Sequence, residues 1–227
     1  MPHSSLRPAY EAVLFDCDGV LVDSEAITHR VLRDRLEASG WKLSAEECMA
    51  IFLGKAVRSE VARIEAETGQ PLTDAWMADF YARRNDALQA ELGPIPGALD
   101  AVRAVHARLG GRIACASGAD RFKVELQLAK VGLTPFFQGR VFSGHEMPRT
   151  KPAPDVYLAA AAALGADPAR CLVVEDSVTG VQAGVAAGAT VIGYSPSPVG
   201  HWAVQDLRAA GAAHVIAHMS ELPALLG

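Results

Sequence analysis

The sequence predicts an α/β protein in which helices sandwich a parallel β-sheet and a small all-α domain of four helices follows the first strand. The apolar run AVLF, from Ala12 to Phe15, has the character of a strand buried on both faces. Between residues 24 and 93, apolar residues recur at helical spacing without a convincing strand. After residue 95, short apolar strands alternate with helices, which is typical of a parallel sheet.

Length and composition narrow the class of protein. The 227 residues suffice for a core domain, predicted at 1–22 and 95–227, and a helical cap domain, predicted at 23–94. A net charge of -5 argues against a nucleic-acid partner. No run approaches the roughly 18 apolar residues that span a bilayer, and the first residues lack the apolar core of a signal peptide. We therefore expect a cytoplasmic protein with no membrane partner.

Four cysteines lie far apart in the sequence, at Cys17, Cys48, Cys115 and Cys171. They show no CxxC pairing and no short metal-binding spacing, so we expect buried free thiols. Cys17 lies between two aspartates, where a nucleophilic role is conceivable. A small side chain that points into the core explains this residue equally well.

The first strand is followed directly by two acidic residues, Asp16 and Asp18. A buried strand that ends in this way brings two carboxylates to one crowded place, where they repel each other unless a cation lies between them. Magnesium is the natural candidate, because it prefers carboxylate oxygens and keeps water and substrate phosphate as its other ligands. Taken alone, the tetrapeptide could also be a polar turn.

Four helices are predicted in the inserted domain. The expected features are a cap at Ser24, a capping box formed by Ser44 and Glu47, and helices at about 24–40, 44–54, 56–68 and 73–92. The cluster of glycine and proline at 93–97 predicts the boundary at which the chain returns to the core.

Five more strands are predicted after this boundary, with helices between them. The predicted strands are RIACA at 112–116, RVFSG at 140–144, CLVVE at 171–175, ATVIG at 189–193 and HVIA at 214–217. Helices are predicted at 98–109, at 120–131 with Asp120 as its cap, at about 155–164 and around 183–187.

Polar residues follow several of these strands, at the sheet edge where parallel sheets form their sites. Ser117 offers a hydroxyl, and the backbone N–H groups of Gly118 and Ala119 precede a helix whose positive end could hold a phosphate. An ordinary cap and turn would also account for these three residues.

Two further charged groups are candidates for the same edge. Lys151 lies in a loop held by Pro152 and Pro154, although an isolated lysine is more often a surface charge. Glu175 and Asp176 end a strand, and beside Asp16 and Asp18 they would form an acidic cluster that needs a divalent cation. Alone, they could cap the following helix.

The string FDCDGVLVDSE resembles the first signature of the haloacid dehalogenase superfamily. Ser117, Lys151 and the stretch VVEDSVTGVQAG match the remaining signatures in the expected order, so the resemblance covers essentially the whole chain. It implies a Rossmann-like core of the HAD-like kind. The inserted helices resemble the small cap of the β-phosphoglucomutase-like subgroup.

The resemblance implies a phosphatase mechanism with an aspartyl-phosphate intermediate. Asp16 would attack the phosphorus, and Asp18 would serve as the general acid and then as the general base. Lys151 and Ser117 would stabilise charge on the transferring oxygens. Mg²⁺ would be held by the Asp16 carboxylate, the Asp18 carbonyl and Asp176, with Glu175 nearby.

The cap is expected, from the same resemblance, to close over the substrate and select the leaving group. Its loop at Gly54, Lys55 and Arg58 faces the active site in relatives, and two cations would suit a substrate with a second anionic group or many hydroxyls. Solvated charges at helix ends are the alternative.

Among phosphatases, the pattern looks most like bacterial enzymes that act on small-molecule sugar phosphates or sugar-acid phosphates such as 6-phosphogluconate. The expected state is a monomer or weak dimer. A β-phosphoglucomutase would carry a cap histidine where this chain has Thr28, with His29 one residue away. Asp18 argues against two relatives that lack it, haloacid dehalogenase and phosphonoacetaldehyde hydrolase, the latter with a cap lysine comparable to Lys55. A receiver-like binding module would leave Asp18 and the cap unexplained.

Overall fold

A computed structural model describes residues 10–196 and 201–226. The chain divides into two compact units, a helical unit at Asp23–Gly93 and a core unit formed by the residues on either side of it. The return to the core unit occurs at Pro94, one residue before the predicted position. Within the described ranges, no helix is both long and apolar enough to cross a membrane.

The helical unit contains four α-helices and a 3-10 turn at Val57–Glu60. The helices are α1 (Glu25–Ala38), α2 (Ala45–Phe52), α3 (Val61–Thr68) and α4 (Asp74–Glu91). Its own apolar cluster includes Leu32, Leu36, Trp41, Phe52, Ile64, Trp76 and Phe80. The predicted all-α insertion is confirmed. The predicted third helix begins with the 3-10 turn, which is wound more tightly than an α-helix.

Two of the three helix caps predicted from the sequence are present in the structure. Ser44 and Glu47 form the predicted capping box, and the Asp120 side chain accepts a hydrogen bond from the Lys123 amide. The expectation for Ser24 is wrong, because this residue already has helical backbone angles and its side chain makes no capping hydrogen bond.

The core unit is built on a six-stranded sheet in the order β3-β2-β1-β4-β5-β6, and each neighbouring pair is parallel. The strands are β1 (Ala12–Phe15), β2 (Ile113–Ser117), β3 (Val141–Ser143), β4 (Cys171–Glu175), β5 (Thr190–Tyr194) and β6 (His214–Ile216). All six lie where apolar runs predicted them. The predicted fold class is confirmed.

Six α-helices of the described chain flank this sheet. They are α5 (Ala98–Arg108), α6 (Arg121–Lys130), α7 (Thr134–Phe137), α8 (Asp155–Ala163), α9 (Val178–Ala186) and α10 (Val204–Ala209). The sequence did not predict α7 or α10, since four and six residues are too few to display a helical period.

Candidate active site

The central strand β1 determines where Asp16 lies. Phe15, the last residue of β1, is in register with Cys115 of β2 on one side and Val174 of β4 on the other. The next amide, that of Asp16, donates to the Val174 carbonyl over 3.0 Å. Asp16 therefore lies at the carboxyl end of the strand where the chain order reverses, the usual location of a site in such sheets.

Lys151 donates three hydrogen bonds to groups at the carboxyl ends of β1, β2 and β4. Its Nζ donates to Asp16 Oδ1 over 2.6 Å, to Glu175 Oε1 over 2.7 Å and to the Ala116 carbonyl over 3.0 Å. The structure thus brings together two acids and a lysine that are far apart in the sequence. Lys151 is not a freely solvated surface charge.

Glu175 accepts hydrogen bonds on both of its carboxylate oxygens. Besides Lys151, the hydroxyl of Tyr157 donates to Oε1 over 2.9 Å. The amide and hydroxyl of Ser177 both donate to Oε2, over 3.0 and 2.9 Å. Glu175 therefore holds Lys151 in place in this structure, and its contact with a metal ion stays a prediction.

Tyr157 is a site residue that the sequence did not reveal. Its ring centroid lies 4.7 Å from the Lys151 Nζ, in addition to its bond with Glu175. Burial, followed by the charge of Glu175, raises the pKa of Tyr157 well above its ordinary value. The hydroxyl therefore keeps its proton and remains a donor.

Electrostatics at Asp16 reflect its burial. Burial raises the pKa of Asp16 to about 7, and Glu175 and Asp18 act in the same direction, while Lys151 opposes them. Burial alone would lower the pKa of Lys151, but Asp16 and Glu175 raise it well above its ordinary value. One lysine does not neutralise the negative charge of two carboxylates. The surroundings of Asp16 and Glu175 therefore favour the binding of an additional cation.

Three carboxylates provide a donor set for such a cation. Asp16, Glu175 and Asp176 each offer an oxygen, and these oxygens lie within 4.8 Å of one another. Gly19 gives Asp176 its space, because a Cβ on Gly19 would lie 2.0 Å from Asp176 Oδ2. An all-oxygen set of this kind fits Mg²⁺, with water completing the coordination.

Asp18 is bound by two residues that the sequence analysis missed, Lys123 and Gln127 of α6. The Lys123 Nζ lies 2.7 Å from Asp18 Oδ1, and the Gln127 Nε2 donates to the same oxygen over 2.8 Å. The two residues are four positions apart on a helix, next to the buried Val124 and Leu128. That spacing was the available signal, since it places two polar side chains on one face.

The predicted phosphate-binding residues lie at the end of β2. Ser117 is buried, and its Oγ accepts a hydrogen bond from the Ala119 amide over 3.1 Å. The Ala119 N–H is therefore engaged within the loop in this structure. Gly118 is exposed. Phosphate binding by these three residues stays a prediction.

Gly54, Lys55 and Arg58 belong to the helical unit. The Lys55 Nζ lies 3.1 Å from Glu60, and the Arg58 Nη2 donates to Asp74 over 2.8 Å. Each cation is therefore paired with an acid of the same unit, both at exposed positions where such pairs contribute little to stability. Their part in substrate binding stays a prediction.

All four cysteines are free and buried, as predicted. A hydrogen bond with Cys115, together with burial, raises the pKa of the Cys17 thiol well above its ordinary value. Because the thiolate is the reactive form, this environment disfavours Cys17 as a nucleophile.

Gly180 of α9 permits the position of Glu175. A Cβ at residue 180 would lie 1.7 Å from Glu175 Oε1 and 2.3 Å from Oε2. Alanine is favoured over glycine in a helix by about 1 kcal/mol, so Gly180→Ala would stabilise the protein if space allowed. We expect instead a loss of about 1–3 kcal/mol, as in other overpacked cores, and reduced activity because Glu175 moves from Lys151.

Urea unfolding of Gly180→Ala measures this effect. Gly93→Ala is the matched control, since a Cβ there meets nothing within 4 Å. A Gly180→Ala protein as stable and active as the parent would contradict the assigned packing.

Comparison with known proteins agrees with this geometry. Residues 10–188 match the haloacid dehalogenase-like hydrolase family. A 6-phosphogluconate phosphatase of Escherichia coli (strain K12) is 31% identical over 189 residues, which cover 83% of this chain and 84% of that protein. A fructose-1-phosphate phosphatase of the same organism is 29% identical over 179 residues, 79% of this chain and 93% of that protein.

A solved structure is similar over nearly the full length. A HAD family hydrolase from Deinococcus radiodurans R1, crystallised with bound phosphate and sodium, is 35% identical with a TM-score of 0.78. The match covers 97% of this chain and 96% of that chain. The chain thus belongs to the haloacid dehalogenase-like hydrolase family. Within that family it is an enzyme of the phosphatase kind.

Proposed function

We propose that this protein is a Mg²⁺-dependent phosphatase that hydrolyses a sugar phosphate or sugar-acid phosphate, such as 6-phosphogluconate, through an aspartyl-phosphate intermediate. The observation that carries the proposal is the separate binding of the two aspartates after β1. Lys151 binds Asp16, whereas Lys123 binds Asp18. Two carboxylates held by different partners can perform different tasks in one reaction.

The first step transfers the phosphoryl group to the protein. An Asp16 carboxylate oxygen forms a bond to phosphorus while the bond between phosphorus and the sugar oxygen breaks. Asp18 gives its proton to the departing alkoxide. Lys151 and Ser117 reduce the cost of negative charge on the transferring oxygens, and preorganised donors of this kind typically contribute about 3–4 kcal/mol each.

The second step returns the protein to its initial state. Asp18, now a carboxylate, takes a proton from water as the water oxygen attacks phosphorus, and the bond between phosphorus and Asp16 breaks. Asp16, Asp176 and the Asp18 carbonyl would hold Mg²⁺, with Glu175 nearby. When bound, the ion offsets the repulsion between the anionic nucleophile and the anionic phosphate.

The substrate class is inferred from relatives. The two phosphatases compared above are named for sugar or sugar-acid phosphates. At about 30% identity this supports the class of substrate and leaves the individual sugar to be measured.

Phosphate release by the purified protein tests the proposal. We expect Mg²⁺-dependent release from a few related compounds in a panel that contains 6-phosphogluconate, fructose 1-phosphate and β-glucose 1-phosphate. Conversion of β-glucose 1-phosphate into glucose 6-phosphate with little free phosphate would instead identify a mutase. Absence of turnover on every ester of the panel, with Mg²⁺ present, would overturn the choice of substrate class.

Stability should depend on pH through Asp16. Its pKa is about 7 in the folded protein, against 3.8 for an exposed aspartate. Between these values the unfolded chain binds fewer protons than the folded one, so stability falls as pH rises, by about 4 kcal/mol at most. Asp16→Asn removes this contribution and should flatten the slope between pH 4 and 7.

Urea unfolding at pH 5 and pH 8, without and with Mg²⁺, measures this dependence. Mg²⁺ should stabilise the parent at pH 8 by mass action and stabilise Asp16→Asn much less. Equal stabilisation of both proteins would contradict Asp16 as part of the cation site.

A further inference from the structure

Helix α6 carries a buried polar pair directed at one oxygen. Lys123 and Gln127 are only 7% and 0% exposed, and both reach Asp18 Oδ1, over 2.7 and 2.8 Å. A buried ammonium or amide costs free energy unless it meets a partner. Here both side chains have Asp18 Oδ1 as their partner, although they lie 105 and 109 residues from Asp18 in sequence.

The orientation of the Gln127 amide is determined by its neighbours. The Cys17 Sγ lies 3.4 Å from Gln127 Oε1 as a donor, and Gln127 Nε2 donates to Asp18. Asp18 Oδ1 already accepts a hydrogen bond from Lys123, so it meets the amide as an acceptor. The amide therefore presents its N–H group, and not its carbonyl, to the carboxylate.

The two lysines of this region bind different acids. Lys151 is committed to Asp16 and Glu175, and its third hydrogen goes to the Ala116 carbonyl. Asp18 Oδ1 accepts instead from Lys123 and Gln127 of α6. Asp18 is thereby held by a different element from the one that holds Asp16.

We propose that Lys123 and Gln127 are positioning residues that hold the Asp18 carboxyl, through Oδ1, in the orientation in which it exchanges its proton with the leaving group and with water. In the first step the carboxyl proton passes to the leaving alkoxide, and in the second step the carboxylate receives a proton from water. Neither α6 residue itself bonds to the substrate. This inference rests on the proposed phosphatase function.

The leaving group provides the test. A sugar phosphate needs a proton on its departing oxygen, whereas p-nitrophenyl phosphate releases a stable phenolate that does not. We expect Lys123→Met and Gln127→Met to slow the first turnover of the sugar phosphate by about 10- to 100-fold, part of the usual contribution of general acid catalysis. The first-turnover burst of nitrophenolate should fall by less than about threefold, with KM little changed for either substrate.

Lys130→Met is the matched control, since Lys130 is an exposed lysine of the same helix. It should leave both rates unchanged. A purely structural role for Lys123 and Gln127 would slow both substrates equally or neither, and either result would overturn the proposal. Because two variants are measured, the test can still be decided if one of them fails to fold.

Crystal structures of the variants give a readout that does not need activity. The proposal predicts that the Asp18 carboxyl rotates away from its present position when either donor is removed. An unmoved carboxyl in both variants would overturn it. A wild-type protein inactive on all phosphate esters would refute the proposed function separately, because the structures would still decide whether α6 positions Asp18.

Discussion

Asp16→Asn is expected to lower kcat by at least about 10⁴-fold, because an amide cannot replace the carboxylate that attacks phosphorus. The substitution conserves shape in a buried position. Lys151 retains Glu175 and the Ala116 carbonyl as partners, so the surrounding network persists. The variant should therefore fold, with far-ultraviolet circular dichroism and a cooperative unfolding transition like those of the parent.

A steady-state assay with the best substrate of the panel measures this loss. Asp100→Asn is the control, since the Asp100 side chain is 87% exposed and pairs with Arg103 at the surface. Residual turnover within about tenfold of the parent, in a folded Asp16→Asn protein, would refute the nucleophile assignment.

Lys151→Met is expected to damage both activity and stability. The change removes the ammonium that binds Asp16 and Glu175, and leaves the two carboxylates facing each other without it. Breaking a buried pair in this way typically costs about 3–5 kcal/mol. We expect kcat to fall by about 10²- to 10³-fold, the usual effect of removing one preorganised donor to the transition state.

Arg149→Met is the matched control for the same loop. Arg149 is an exposed cation that binds Asp155 over 2.9 Å. Its loss should change neither kcat nor the urea midpoint appreciably. If Lys151→Met behaved like Arg149→Met in both assays, the network around Glu175 would have no functional role.

Much of the core was predictable because its signals are local. Strand β1 is a continuous apolar run, and Asp16 and Asp18 follow it directly in sequence. One pattern therefore located both the strand and the two acids of the candidate site. Ser117 and Glu175 were predictable because parallel strands bring their carboxyl ends to one edge. These inferences require only the direction of each strand.

The partners of Asp18 and Glu175 depend on packing that no local pattern encodes. Lys123 and Gln127 reach Asp18 across more than one hundred residues of chain, and Tyr157 reaches Glu175 from the first turns of α8. For the same reason the four hydrogen bonds of Glu175 could not be predicted, since they form only when β4, α8 and the Ser177 turn come together.

Chemical trapping of the phosphorylated protein tests the central claim most directly. The protein is quenched during turnover with Mg²⁺ and its best substrate, then treated with borohydride, which reduces an aspartyl phosphate to homoserine, and mapped by peptide mass spectrometry. We expect homoserine at residue 16, at no other aspartate, and not in Asp16→Asn. Sustained phosphate release with residue 16 unmodified, or modification at another residue, would contradict it.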